Sequence, residues 1–114
     1  TVGYVLKETV EKSPDLVQAY VNACYRAQQW IRKAKEDEII DLIHKPYMDT
    51  FKREVVLQSV RYYKTIFDWD FLIDEKDYEN GMKVWVPLAV EKPIPYAKAV
   101  DMSFVKKAQA KFKA

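Results

Sequence analysis

His44 and Cys24 are the only histidine and the only cysteine of this 114-residue chain. A thiolate nucleophile needs an imidazole or another base beside it, and zinc, which favours His and Cys ligands, is not expected with one of each. Cys24 falls on the apolar face of a helical pattern and reads as a small buried hydrophobe. His44, next to Lys45 and Pro46, sits at a helix end, where it caps carbonyls or faces solvent. The densest carboxylate group is Asp68, Asp70, Asp74, Glu75 and Asp77. Alternating acids can ligate calcium, but the fifth and sixth loop positions hold Leu72 and Ile73, where a ligand and a glycine are needed. A helix cap followed by a solvated first turn explains these acids better. Gly3 and Gly81 are the only glycines, which rules out a glycine-rich phosphate loop, and no serine elbow is present. No catalytic residue, metal ligand or cofactor is expected.

The charge pattern excludes a further class. Nineteen basic and seventeen acidic residues leave a net charge of +2, too even to draw a nucleic acid. The basic positions Lys106, Lys107, Lys111 and Lys113 fit the wet side of a short helix. No apolar run of about 18 residues is present to span a membrane. Half of the chain is apolar, so a folded core is expected.

The elements that would position these groups read as mostly α: about five helices and one short N-terminal strand. Residues 2–6 (VGYVL) read as the strand, which needs a partner in another chain or in further sequence. Ser13-Pro14 opens the longest helix, 13–34. Leu16, Tyr20, Ala23, Ala27 and Trp30 form one apolar row along it, and Val17, Val21, Cys24 and Ile31 the next, a stripe wide enough to pack into a core. A short helix is expected over 36–44, ended by Pro46. Another is expected over 51–66, capped by Asp49 or Thr50, with Val55, Val56, Val60, Tyr63, Ile66 and Phe67 apolar. Trp69 and Phe71 pin the acidic connector to the core. Asp74 caps a helix carrying Tyr78, Met82, Val86 and Ala89 on its apolar side, which Pro87 kinks or ends. EKPIPYAKAV reads as an ordered, proline-stiffened loop, and Asp101 or Ser103 caps a last helix with Phe104, Val105, Ala108 and Phe112 inward.

The segment SPDLVQAYVNACYRAQQWIRK resembles the "P-(D/E)-L-V-(Q/K)-A-(F/Y)-V" helix of the periplasmic solute-binding proteins of ABC importers. The branch in question handles nitrate, sulfonates, taurine and thiamine-pyrimidine precursors. VGYVLKETVEK resembles the strand before that helix, and EDEIIDLIHKPY the short helix after it. The stretch from FLIDEKDYENG to VDMSFVKKAQAKF resembles the family's C-terminal end, "I-P-Y…V-D-x-S-F-V-K-K-A". The resemblance spans essentially the whole chain but only the last third of the family's proteins. It therefore implies a C-terminal fragment of a two-lobe α/β fold, residues 1–114 forming a single piece of it. The missing initiator Met and signal peptide agree with this expectation.

The resemblance implies a non-enzymatic, periplasmic substrate-binding component. Its partners would be a small anion or heterocycle and an ABC permease in the membrane. Tyr4, at the end of the hinge-like strand, and Trp69 are the positions the resemblance nominates as cleft-facing. Two other readings stand beside it. One is a stand-alone helical interaction domain that self-associates through strand 2–6. The other is a piece of a thiamine-pyrimidine synthase-like enzyme that consumes its own histidine, for which His44 is the candidate.

Overall fold

The computed structural model describes residues 2–89 and 92–112. Among these the chain is mostly α, as expected, with seven helices and no strand. They are α1 (Lys7–Lys12), α2 (Pro14–Lys33), α3 (Glu36–Tyr47), α4 (Arg53–Ile66), α5 (Glu75–Ala89), α6 (Tyr96–Ala99) and α7 (Ser103–Phe112). The expected strand at 2–6 is not formed: the segment is exposed and irregular, and a β-propensity run without a partner edge has nowhere to place its hydrogen bonds. The chain divides into two compact units, Thr1–Asn22 with Phe71–Ala114, and Ala23–Asp70.

In the second unit, α3 packs against α4. Ile40 is completely buried, and Ala34, Ile39, Val56 and Val60 complete the cluster, with Ile31, Ile43 and Leu57 packed against it. Fully burying one such aliphatic side chain is worth about 1.5–3 kcal/mol. The rim of this pair is ionic. Arg53 reaches Asp37 at 3.0 Å and Asp41 at 2.9 Å, and Arg61 reaches Glu36 at 2.7 Å. Hydrogen bonds to Asp41 and then Asp37 raise the Arg53 pKa above its already high ordinary value. These exposed pairs set the alignment of α4 on α3 more than they stabilise it. Lys64 adds a hydrogen bond from Nζ to the Ala34 carbonyl, 2.8 Å, satisfying the C-terminal end of α2.

Several boundaries differ from the sequence reading. α3 runs through Pro46 to Tyr47, because the Met48 N–H bonds to the His44 carbonyl (2.9 Å) and closes the final turn around the proline. α4 begins at Arg53 with Lys52 as N-cap, since Asp49 and Thr50 are taken up by the preceding turn. Its apolar residues also divide: Val56 and Val60 are buried, whereas Val55, Tyr63 and Ile66 are exposed. α2 divides in the same way. Val17 is buried and Val21, Cys24 and Ile31 are half-buried, but the neighbouring row Leu16, Tyr20, Ala23, Ala27 and Trp30 is exposed. The periodicity marks both rows as apolar and does not say which one finds a partner.

In the first unit the buried residues are Val17, Phe104, Val105 and Ala108. Gln18 Nε2 donates to the Phe104 carbonyl at 2.9 Å, joining the start of α2 to α7. The Ser13 carbonyl accepts from the Leu16 and Val17 amides and opens α2 where Ser13-Pro14 predicts. Asp74 caps α5 as expected, its Oδ1 accepting from the Asp77 N–H at 2.7 Å. Pro87 lies inside the last turn of α5, and the helix continues to Ala89. EKPIPYAKAV is only partly a loop: Pro95 presets the N-cap of a single helical turn, α6. Glu91 and Lys113 lie outside the described residues.

Asp101 performs the capping expected at α7 from one position earlier, its Oδ1 accepting from the Ser103 N–H at 2.9 Å. Hydrogen bonds from the Ser103 hydroxyl and amide hold the Asp101 carboxyl below the ordinary value of 3.8. A lowered folded-state pKa means that the stabilisation is present above the ordinary pKa and disappears as pH falls through the lowered one. The melting temperature lost in Asp101→Ala is therefore expected to be larger at pH 7 than at pH 2, as followed by circular dichroism. An equal loss at both pH values would assign the effect to packing.

Candidate functional site

An open concavity lies in the first unit, between α5 and the segment leading into α6. The residues Tyr78, Met82 and Val86, one helical turn apart, form its floor, and Pro93, Ile94, Pro95 and Tyr96 form the opposite wall. Two phenols build this wall. Tyr78 OH donates to the Ile94 carbonyl at 2.7 Å, and Tyr96 OH donates to the Ile73 carbonyl at 2.6 Å. The two rings meet edge to face, centroids 5.7 Å apart at 65°. The prolines on either side of Ile94 keep the strap extended, so its carbonyl faces the phenol at little entropic cost.

The result is an open groove of about 520 Å³, within the size range of small-molecule sites. Glu75, Glu79 and Lys83 stand among its lining residues, with Lys83 Nζ donating to Asn80 Oδ1 at 3.1 Å. Both tyrosine hydroxyls donate to the backbone and so fix the shape of the groove. The lining offers no nucleophile–base pair. It can take a flat, partly apolar body with polar edges.

The two positions nominated from the sequence lie elsewhere. Tyr4 is 93% exposed in the irregular N-terminal segment. Trp69 is half-buried in the other unit and heavily engaged. Phe67 meets its ring edge-on at 5.5 Å, the Arg32 guanidinium lies 6.0 Å from its centroid, and Gln29 Nε2 donates to its carbonyl at 2.7 Å. This is the pinning role read for the connector. Phe71, next along, takes φ of +60°, a left-handed geometry costing roughly 1–2 kcal/mol in a residue with a Cβ.

The remaining chemistry-bearing groups have structural tasks. His44 Nε2 lies 2.8 Å from the Phe51 carbonyl, so the tautomer protonated there closes the turn between α3 and α4. Cys24 is half-buried. Asp68 Oδ1 accepts from the Asp70 N–H at 3.0 Å, and Asp74 is the α5 cap. No three ligating side chains converge among the described residues. No helix among them is long and apolar enough to cross a membrane.

Sequence reasoning identifies Tyr78, Met82 and Val86 as one apolar side but not the groove. The partners that complete it are 16 residues away for Tyr78 and 23 for Tyr96, beyond the reach of periodicity. The paired prolines around Ile94 are the available signal. No protein-family model, curated protein or solved structure matches the chain.

The wall predicts its own test. Tyr96→Phe, which strands the Ile73 carbonyl, is expected to destabilise the first unit by about 1 kcal/mol, and Tyr78→Phe by no more than that. Amide exchange should quicken at Tyr96–Val100 in both variants. Unchanged exchange there would show that the phenols do not hold the strap.

Proposed function

We propose that this chain is part of the substrate-binding component of an ABC importer, acting outside the cytoplasmic membrane and delivering a small anion or heterocycle to a membrane permease. The observation that carries the reading is the set of tasks performed by the residues of the C-terminal resemblance. In IPY, Tyr96 anchors the strap to the Ile73 carbonyl. In VDMSFVKKA, Asp101 caps α7, Met102 Sδ accepts from the Ile73 N–H at 3.3 Å, and Phe104, Val105 and Ala108 are buried. A motif in which successive residues each have a separate physical role is harder to reach by chance than a generic amphipathic helix.

In the two-lobe α/β architecture that the resemblance implies, these helices would cover a lobe. The large apolar side chains left exposed, among them Leu16, Tyr20, Trp85 and Leu88, would then meet further parts of that lobe. Capture would be reversible, the lobes closing on the ligand and the closed form docking on the permease. Within the ligand class, the largely apolar lining of the α5 groove, with Tyr78 and Tyr96, suits a heterocycle better than a bare oxyanion. Tyr4, with its ring exposed, is the cleft-facing candidate; Trp69 supports the connector.

A thermal-shift series on the intact gene product with nitrate, sulfonates and aminopyrimidines tests this reading. A ligand at a hundredfold excess over its Kd adds about 2.7 kcal/mol to stability, an upward shift in Tm. No shift with any member of the series would contradict the proposal.

A further inference from the structure

Asn80-Gly81 lies in the middle of α5, where nothing in the packing requires a glycine. A Cβ at Gly81 would have no heavy atom within 4 Å beyond its chain neighbours and the helix's own backbone. Among the described residues no glycine takes a positive φ. Glycine weakens a helix interior more than any residue but proline, and α5 carries both, Gly81 and Pro87. Burial does not make up the loss. From Glu75 to Leu88 no residue is fully buried, and the groove floor of Tyr78, Met82 and Val86 is only half-buried. Few buried contacts around a poor helix former mark an element that opens locally at low cost.

Opening makes a reaction available. The side-chain amide of an asparagine can be attacked by the backbone nitrogen of the next residue, and the attack is least hindered where that residue has no Cβ. The Gly81 nitrogen loses its proton and bonds to Asn80 Cγ. The Cγ–Nδ2 bond breaks, and Nδ2 leaves as ammonia with that proton. The five-membered succinimide then takes up water. Opening at Cγ gives aspartate, and opening at the Asn80 backbone carbonyl gives isoaspartate; no oxidant, reductant or cofactor is needed. In the formed helix the step is blocked, because the Gly81 N–H is committed to the Asp77 carbonyl four residues back and the backbone holds the nitrogen away from Cγ.

We propose that Asn80-Gly81 is a self-modification site, a deamidation gated by the opening of α5, whose isoaspartyl product takes the groove apart. Isoaspartate places an extra carbon in the backbone between residues 80 and 81. Tyr78 and Met82 stand on either side of it, and they form one floor only while a single helical turn separates them. Tyr78 is also the residue that holds the strap, through the Ile94 carbonyl. The aspartyl product is milder: Lys83 Nζ, which donates to Asn80 Oδ1 at 3.1 Å, keeps an acceptor there. The chain contains its own reference in its other asparagine. Asn22 precedes an alanine, is half-buried in α2, and accepts from Gln18 Nε2 at 2.9 Å.

The proposal does not depend on the importer reading. Its test is to age the 114-residue chain in mildly alkaline buffer and follow amide-to-acid conversion by peptide mass spectrometry, with fragmentation that separates isoaspartate from aspartate. Conversion at Asn80 is expected to be at least about tenfold faster than at Asn22, and Gly81→Ala should bring it down to the Asn22 rate. Urea below the unfolding midpoint should quicken conversion at Asn80 in step with amide exchange in α5. In the aged protein, protection of the Tyr96–Val100 amides should fall in proportion to isoaspartate content. Equal rates at the two asparagines, an Asn80 rate unchanged in Gly81→Ala, a rate indifferent to urea, or full strap protection in isoaspartyl protein would each overturn the proposal. Circular dichroism verifies that Gly81→Ala is folded.

Discussion

Ile40 has no accessible surface, and the helical pair around it depends on that burial. α3 brings Ile39 and Ile40 to the seam, α4 brings Val56 and Val60, and Ala34 closes the end at α2. The buried set of the whole described chain is small, so the burial of one aliphatic side chain weighs more than it would in a larger domain. The ion pairs of Arg53 and Arg61 lie at the solvent edge of this seam. They can select the alignment of the two helices but cannot substitute for the core. Where the aliphatic contact stops, the chain turns to hydrogen bonds at helix ends: Lys64 on the Ala34 carbonyl, His44 on the Phe51 carbonyl, and Asp74 and Asp101 on free amides.

Those local devices are also the most legible part of the sequence. Ser13-Pro14 marks the start of α2 and Asp74 that of α5, because a cap is decided by residues within one turn of each other. Pro46 misleads, because the helix it is expected to end runs on to Tyr47, while at Pro87 the helix does not end. A proline in a last turn removes a single bond, and the helices pass through both. The α-rich class is legible from periodicity; the outward-facing row Leu16–Trp30 is not. An apolar row records what a helix could bury, and only tertiary structure decides whether anything covers it. The 2–6 segment shows the matching limit for strands, whose stability comes from an edge that this segment does not have.

The candidate site is less legible than the fold. The Tyr78–Ile94 and Tyr96–Ile73 hydrogen bonds each join elements separated by a loop, and neither residue type by itself announces a groove. Trp69 stands out as an aromatic among acids, and its neighbours explain it: Phe67, Arg32 and Gln29 occupy its edge, face and carbonyl. The proposed importer role thus rests on motif order and on the tasks of Tyr96, Asp101 and Met102, with the α5 groove as the available binding surface.

Dependence on Ile40 is the central claim, and urea unfolding of Ile40→Ala beside Leu42→Ala tests it most directly. Leu42 lies two residues away on α3 and is 59% exposed, so both variants remove the same bulk from the same helix. The expected loss is about 2–5 kcal/mol for Ile40→Ala, enough to unfold the second unit if its stability is marginal, and well under 1 kcal/mol for Leu42→Ala. Comparable losses in the two variants would contradict the claim.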